Sequence, residues 1–407
     1  MEEREMKEQI QRQVMEQIPP GVSFSDEELM GVIERQIQGQ ARESYLRLEA
    51  KKSLRRQIYN AIRKMDVLQD LLEDEEITEI MVNGPSSIFV EKNGKIQKTD
   101  RTFESPERLD HIAQQIASGG NRIVNESNPI LDVRLEDGSR VNIVVPPIAL
   151  NGPVITIRKF PKEAMTMDQL LRMDAISKEA AVFLEKLVKA RYNIFISGGT
   201  GAGKTTFLNI LSNFIPREER IITIEDSAEL QIRQVPNLVR LEARNANVEG
   251  KNQVTIRDLV KSSLRMRPDR VVVGEIRDAA AIDLLSAMNT GHDGSLSTGH
   301  ANSPRDMLNR LETLVLMGMD IPLAAVRQQI ASGIDILVHL GRLRDGSRRV
   351  LQIDEIVGIE NGMVSLRTLF EFREKKGQKG RVEGALCATG KELQNQEKCQ
   401  RAGVSLL

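Results

Sequence analysis

The chain of 407 residues has few aromatic residues and little cysteine, and each shortage argues against a class of function. It has no tryptophan, and aromatic residues make up 3% of the chain, which argues against binding of single-stranded nucleic acid by base stacking. The formal net charge is −1, so nothing indicates binding of nucleic acid through neutralised phosphates. The two cysteines, Cys387 and Cys399, are too few for a disulfide framework or a four-cysteine zinc site, so we expect a reducing, cytoplasmic compartment.

Long apolar segments are missing as well. No run approaches the 18 or so residues that a membrane-spanning helix needs. The charged start MEEREMKEQIQRQVMEQ has no apolar segment of the signal-peptide kind. We therefore expect any contact with a membrane to be made through a partner.

The patterns that are present divide the chain into segments. They predict a helical N-terminal arm at 1–75, an α+β domain at 76–160, a linker at 161–175, an α/β domain at 176–372 and a polar C-terminal tail at 373–407. A break in the arm is expected at Pro19-Pro20-Gly21. The α+β domain has a hairpin signal at Asn93-Gly94 and a helical pattern near 106–117. In the α/β domain the short apolar runs YNIFIS, RIITIE, RVVVGE, GSLSTG and DILVHL alternate with helical patterns.

The stretch GGTGAGKTT fits the P-loop pattern G-x-x-x-x-G-K-[ST], with a predicted strand before it and a predicted helix after it. Its glycines let backbone N–H groups wrap phosphates, and the helix adds its positive end. Lys204 supplies a mobile charge to the β- and γ-phosphate oxygens, and Thr205 offers a hydroxyl to Mg²⁺. The pattern predicts a nucleoside triphosphate site made by Gly198, Gly199, Thr200, Gly201, Ala202, Gly203, Lys204, Thr205 and Thr206.

Two further strands are predicted to end in acidic residues. RVVVGEIRD places Glu275 where it would orient or deprotonate the attacking water, while Gly274 stands where many P-loop enzymes have a metal-supporting Asp. RIITIEDSAEL carries Glu225 and Asp226, which would either hold Mg²⁺ through water or cap the next helix.

Two of the four histidines, His292 and His300, lie in GHDGSLSTGHANSP. A sensor of the γ-phosphate and a structural histidine are both open interpretations. A zinc pair would need more ligands than this stretch offers.

Four stretches together resemble motifs of the ATPases that serve type II and type IV secretion and type IV pili. In chain order they resemble the P-loop (GGTGAGKTT), the Asp box (TIEDSAEL), the Walker B strand (VVVGEIRD) and the His box (STGHANSP). In that family the Walker B strand ends in Gly-Glu, as it does here. The resemblance covers roughly residues 65–370, and its N-terminal half looks most like the branch that drives tight-adherence (Tad/Flp) pili. It implies a RecA-like P-loop ATPase domain that follows the α+β domain in the chain. Many type II members carry a four-cysteine zinc module, which this chain cannot build.

The resemblance also implies a mechanism and a setting. Family members are cytosolic hexameric rings that use ATP and Mg²⁺ to assemble or retract pili, or to drive secretion, through an inner-membrane platform protein. In such a ring Glu275 acts on the water, Glu225 supports Mg²⁺ or that water, and His300 communicates loss of the γ-phosphate. Two arginines of the N-terminal domain, here Arg140 and Arg158, reach the γ-phosphate, with Arg134 as a lesser candidate. The alternatives are a DNA-translocating motor and an ATP-gated scaffold without significant hydrolysis.

Overall fold

The computed structural model of the chain describes residues 3–18, 24–43, 46–92, 94–161, 163–244, 246, 251–375 and 382–406. The chain divides into two compact units, Met1–Pro161 and Lys162–Leu407. The helix break predicted at residues 19–21 and Asn93 of the predicted hairpin turn lie outside the described residues. Within the described ranges, no helix has the length and hydropathy needed to cross a membrane.

The N-terminal unit begins with the helices α1 (Glu3–Glu16), α2 (Asp26–Glu43) and α3 (Leu48–Arg63). Their buried residues recur every three or four positions, which places them on one face of each helix. These residues are Met6, Ile10 and Val14 on α1, Leu29, Val32, Ile33 and Ile37 on α2, and Leu54 and Ile58 on α3. The predicted helical arm is thus a small bundle with an apolar core of its own.

A mixed region follows, with α4 (Val67–Glu73), β1 (Ile77–Asn83), β2 (Ile88–Lys92), β3 (Lys95–Lys98), α5 (Pro106–Gly119), β4 (Ile130–Arg134), β5 (Arg140–Val144) and β6 (Val154–Arg158). The strands form an antiparallel sheet in the order β3-β2-β1-β6-β5-β4. Helix α5 begins where the Ser105 side chain accepts a hydrogen bond from the backbone N–H of Arg108. Its buried face packs into the core of the sheet. The hairpin of β2 and β3 and the helix near 106–117 are confirmed.

The C-terminal unit is larger. Its helices are α6 (Met167–Arg172), α7 (Lys178–Lys189), α8 (Lys204–Ser212), α9 (Ile256–Ser263), α10 (Ala280–Asn289), α11 (Pro304–Gly318), α12 (Leu323–Gly333) and α13 (Glu397–Ala402). Its strands are β7 (Ile194–Gly198), β8 (Ile221–Glu225), β9 (Leu238–Glu242), β10 (Arg270–Val273), β11 (Leu296–His300), β12 (Ile336–Arg342), β13 (Arg348–Glu360), β14 (Met363–Glu374) and β15 (Gly384–Ala388).

These strands form one sheet in the order β15-β14-β13-β12-β7-β11-β10-β8-β9. The part from β12 to β9 is parallel, and every residue of β7, β8 and β10 is buried. Parallel strands of this kind are covered by helices on both faces, which explains their continuous apolar runs. The predicted RecA-like α/β fold is therefore confirmed, and the carboxyl ends of the parallel strands meet along one edge of the sheet.

Two segments are more closely packed than a linker and a polar tail would be. Within 161–175, α6 begins at a capping box between Thr166 and Gln169 and buries Leu170 in the core of the C-terminal unit. Within 373–407, β15 pairs with β14, and Leu386 and Cys399 join the same core. Both segments bury few residues, so their composition stays polar although they are part of the domain.

Candidate functional site

Four neighbouring parallel strands place the predicted site residues along one edge of the sheet. The order β7-β11-β10-β8 brings the carboxyl end of each strand beside the next. Gly198 ends β7, His300 ends β11, Glu225 ends β8, and Glu275 follows β10 by two residues. The sheet topology therefore collects residues that are up to about 100 positions apart in the chain, as ligand sites of open α/β sheets do.

The glycine-rich loop connects β7 to α8. Gly201 and Gly203 have φ angles of 72° and 94°, which favour glycine because they lie in the left-handed region. At Gly198 a Cβ atom would lie 2.5 Å from the carbonyl oxygen of Leu340, so the end of the strand has no room for a side chain. Helix α8 begins at Lys204 directly after the loop. Loop amides and a helix N-terminus together make a site for an anion, phosphate above all.

Lys204 is buried at the start of α8. Its Nζ donates to the carbonyl of Gly199 at 3.0 Å and lies 3.2 Å from Nδ1 of His300. Burial lowers the pKa of the Lys204 ammonium, while the nearby Glu275 carboxylate opposes that shift. The ammonium is thus bonded to the loop's own backbone, where it can exchange a carbonyl for a phosphate oxygen.

The side chains of Arg277 and His300 flank the carboxylate of Glu275. Its Oε2 accepts a hydrogen bond from Nη2 of Arg277 at 2.8 Å, and its Oε1 lies 3.0 Å from Nε2 of His300. Burial pushes the pKa of Glu275 up, but the side chains around it, Arg277 first, outweigh burial and lower the pKa below its usual value. Glu275 is therefore a charged carboxylate at neutral pH.

His300 lies between Lys204 and Glu275. Burial lowers the pKa of its imidazole, and the positive charges of Lys204 and Arg277 act in the same direction. A neutral imidazole with its lone pair on Nδ1 accepts from the Lys204 ammonium and directs Nε2–H toward Glu275. The histidine therefore connects the phosphate loop to the acidic strand end, as a sensor of the γ-phosphate would.

Glu225 is almost completely buried, with 3% of its surface exposed. Its carboxylate accepts hydrogen bonds from the backbone N–H groups of Glu229 and Leu230, at 2.7 and 3.1 Å to Oε2. Burial raises its pKa. A Cβ at position 274 would lie 3.0 Å from Cγ of Glu225, which explains why Gly274 precedes Glu275. The geometry shows Glu225 organising the loop after β8, and its support of Mg²⁺ stays a prediction.

The remaining candidates occupy different places. Thr205 is half-buried in the first turn of α8, and Asp226 lies 3.6 Å from Nη1 of Arg277. His292 precedes β11 at its amino end, with Nδ1 3.3 Å from the carbonyl oxygen of Ala287, whereas His300 ends the same strand. Among the described residues, no group of three His, Cys, Asp or Glu side chains could hold a metal ion. A zinc pair of the two histidines is excluded by their positions.

In the N-terminal unit the three predicted arginines form a row across adjacent strands. Arg134 on β4 is opposite Arg140 on β5, and Arg140 is opposite Arg158 on β6. Arg158 is in turn opposite Glu79 on β1. Directly opposite residues share a face of the sheet, and like charges in that position repel. The row therefore concentrates positive charge on this face of the sheet.

Sequence reasoning missed two features of the site. One is a cavity of about 70 Å³ beside the phosphate loop, where Ala202, Gly203 and Phe207 face Met173 and Val350. Its walls come from four separate segments, so no local pattern reveals it. The other is Arg277, whose position two residues after Glu275 in a GEIRD stretch was the available signal.

A phosphate loop at the end of a buried parallel strand, with a lysine, a histidine and a glutamate in contact beside it, defines a P-loop protein of the RecA-like α/β class. The sequence model of the family described as "Type II/IV secretion system protein" matches residues 62–385. The chain belongs to this family.

Individual relatives are similar over most of their length. A Mycobacterium tuberculosis protein named for conjugal transfer is 37% identical over 293 residues, 70% of this chain and 83% of the relative. The type IV secretion system protein VirB11 of Bartonella henselae is 30% identical over 329 residues, 72% of this chain and 92% of that protein. The X-ray structure of the Legionella pneumophila ATPase DotB superimposes with a TM-score of 0.51 at 22% identity, covering 70% of this chain and 79% of DotB, and this likeness supports the fold.

Proposed function

We propose that the chain is a motor ATPase that hydrolyses ATP to power a secretion or pilus machine. The observation that carries the proposal is the continuous contact from Lys204 through His300 to Glu275 beside the phosphate loop. In this arrangement Lys204 would bind phosphate and Glu275 would orient the water. His300 contacts both side chains, so a change at either one can reach the other. The similarity to VirB11 and to a protein named for conjugal transfer supports the cellular role.

The cavity beside the loop supports a nucleoside triphosphate as substrate. Methionine and phenylalanine side chains line it, and Ala202 and Gly203 of the phosphate loop form its near wall. A purine base is flat and largely apolar, so we propose that it lies against these apolar walls while its phosphates lie against the loop. Arg348 also lines the cavity, where its guanidinium could lie against the base.

The residues present fit a magnesium ion of the kind that accompanies ATP. Mg²⁺ keeps several waters and takes few protein ligands in phosphate sites, so one hydroxyl and one nearby carboxylate are enough to hold it beside the phosphates. We propose that Thr205 contributes its hydroxyl as a ligand and that Glu225 contacts the metal, directly or through a metal-bound water. When bound, the ion neutralises charge on the phosphate oxygens.

In hydrolysis Glu275 orients the attacking water and accepts its proton. Its lowered pKa makes the carboxylate a hydrogen-bond acceptor at neutral pH rather than an acid. Lys204 balances negative charge on the β- and γ-phosphates. His300, in contact with both residues, responds when the γ-phosphate leaves and Lys204 returns to the carbonyl of Gly199.

The arginine row of β4, β5 and β6 supplies further positive charge. We propose that Arg140 and Arg158, with Arg134 beside them, contact the γ-phosphate of a bound nucleotide in the same or a neighbouring subunit. Their alignment in opposite register on three adjacent strands supports the role. Guanidinium groups suit the charge that spreads over the transferred phosphoryl oxygens.

The finer setting also belongs to the proposal. We propose a homohexameric ring in the cytoplasm, at the inner face of the membrane, that acts through an inner-membrane platform protein. The tight-adherence pilus branch is favoured by the sequence resemblance of the N-terminal half. A DNA-translocating motor and an ATP-gated scaffold remain the alternatives.

Nucleotide binding and phosphate release by the purified chain test the function. Lys204→Ala should weaken Mg²⁺-ATP binding and lower turnover by about 100-fold or more, since a preorganised charge at the transferred phosphate contributes at least that much. The matched control is Lys189→Ala, which removes an exposed lysine ion-paired to Glu185 on α7 and should leave both quantities unchanged. Binding without phosphate release would favour the scaffold, and release that rises on addition of DNA would favour the DNA motor.

A further inference from the structure

The starting point is that one oxygen of Glu275 is hydrogen-bonded and the other is screened from solvent. Oε2 accepts from Arg277 at 2.8 Å. Oε1 is buried from solvent and, within the described part of the chain, makes no well-aligned hydrogen bond, although Nε2 of His300 lies 3.0 Å away. A carboxylate that orients an attacking water needs an accessible oxygen for it. The arrangement is therefore a resting one, in which Glu275 cannot yet hold the water.

Arg277 has a second carboxylate within reach. Its Nη1 lies 3.6 Å from Oδ2 of Asp226, while its Nη2 is bonded to Glu275. The side chains of Arg277 and Asp226 are 58% and 48% exposed, so neither is fixed by packing. Glu275 is 16% exposed and has less freedom to move. Of the three groups, the guanidinium can change position at the smallest cost.

We propose that Arg277 is a latch, a positioning residue that holds Glu275 at rest and transfers to Asp226 when the site becomes active. The transfer exchanges one arginine–carboxylate pair for another, so the two states are close in free energy and a small bias from bound nucleotide can move the population. Asp226 thereby gains a role distinct from metal binding: it receives the guanidinium. The proposal rests on the proposed ATPase function.

Steady-state phosphate release and nucleotide affinity, measured on four variants, test the latch. Arg277→Gln should raise turnover by up to about fivefold, because a half-exposed ion pair shifts an equilibrium between two states by no more than about that factor. Asp226→Asn should lower turnover, because the released guanidinium loses its second partner. The double variant should match Arg277→Gln, since Asp226 acts through Arg277 alone. Arg277→Lys should stay within about twofold of wild type, because an ammonium can pair with either carboxylate.

Nucleotide affinity separates the latch from a merely structural role. The dissociation constant for Mg²⁺-ATP should change less than about twofold in all four variants, which confines the effect to turnover. The control is Arg344→Gln, which breaks an ion pair with Glu374 at a similar exposure of 56% and should change neither quantity.

The outcomes distinguish the latch from the function on which it rests. Lower turnover in Arg277→Gln, or a loss from Asp226→Asn that is equally large in the Arg277→Gln background, would overturn the latch while the ATPase stands. A wild-type chain that binds ATP without turnover, together with an active Arg277→Gln, would mean that the latch is closed in the isolated chain and would support it. A wild-type chain that binds no nucleotide would overturn the proposed function and the latch together.

Discussion

An arginine–glutamate pair lies at each end of strand β10. The two pairs differ in their burial and in how many of their polar atoms have hydrogen-bond partners. At the amino end Arg270 pairs with Glu219, and both are buried. Beyond the carboxyl end, Arg277 pairs with Glu275, and Arg277 is 58% exposed. The same two residue types therefore occupy opposite ends of one buried strand in very different surroundings.

The pair at the amino end is closed. Arg270 donates from Nε and Nη2 to the two carboxylate oxygens of Glu219, at 2.6 and 2.8 Å, and from Nη1 to the carbonyl of Val188 at 2.6 Å. Gly294 has no room for a side chain, because a Cβ there would lie 2.6 Å from Nη1 of Arg270. A fully buried guanidinium whose three nitrogens all donate hydrogen bonds is fixed in place, so the pair serves the fold.

The pair at the carboxyl end is open. Arg277 bonds one oxygen of Glu275 and lies near a second carboxylate, and Glu275 in turn faces His300. Arg277 can therefore exchange Glu275 for Asp226 while it stays partly exposed. The comparison indicates that the end of the strand where we propose the chemistry is marked by exchangeable partners rather than by the presence of an ion pair.

The largest expected effect comes from breaking the closed pair. Arg270→Met leaves the Glu219 carboxylate buried without its principal partner and should lower the free energy of unfolding by about 3–5 kcal/mol. Arg277→Gln, at the open end, should cost no more than about 1 kcal/mol, because its pair is half-exposed. Chemical unfolding followed by circular dichroism measures both, and equal losses would contradict the distinction.

A smaller effect is expected at the residue that separates the strand from its open end. Gly274→Ala places a Cβ 3.0 Å from Cγ of Glu225, and overpacking of this kind should lower the unfolding free energy by about 1–2 kcal/mol. Turnover should also fall, because Glu225 organises the loop beside the site.

Gly119→Ala, in helix α5, is the control for that substitution. No atom lies within 4 Å of the Cβ it would add, so it should be neutral or slightly stabilising. If the two alanine variants were equally stable, the tight contact at position 274 would have no energetic consequence.

The smallest effect concerns pH. His339 on β12 is buried beside the phosphate loop, and its Nδ1 lies 2.9 Å from Oγ of Ser197. Burial lowers its pKa, although the carbonyl of Asn302 and the charge of Asp306 oppose that shift. Because the unfolded histidine takes up a proton first, its contribution to stability is present above a pH of about 6.5 and is lost as the pH falls below that value.

Unfolding midpoints at pH 7.5 and 5.5 check the sign for His339. The wild-type midpoint should drop more between the two pH values than that of His339→Gln, which can keep a hydrogen bond to Ser197 without titrating. An identical drop in both proteins would show that His339 does not contribute to the pH dependence.

Sequence patterns identify the site residues beyond the carboxyl end of β10, but they do not reveal the buried arginine–glutamate pair at its amino end. Lys204, Glu275 and His300 belong to local motifs, each next to a predicted strand, so neighbouring residues were enough to identify them. Arg270 and Glu219 are 51 positions apart, and their pairing depends on the order β10-β8 in the sheet, which no local pattern contains. The cavity beside the loop was hidden for the same reason, since its walls converge only after folding.

The edges of the C-terminal sheet show a second limit. Strand β9 is half-exposed and lacks the continuous apolar run of its neighbours, so periodicity did not predict it. Strand β15 and helix α13 bury only a few residues within a polar segment. Tertiary pairing, rather than local composition, gives these segments their structure.

The most direct test of the account is phosphate release from Mg²⁺-ATP by wild type and by Glu275→Gln at equal nucleotide occupancy. Glutamine keeps the size of the side chain and removes the charge, so the variant should fold and bind ATP as wild type does. Turnover should fall by about 100-fold, as expected when a group that positions and deprotonates water is lost. Equal turnover in the two proteins would contradict the assignment of the chemistry to the open end of β10.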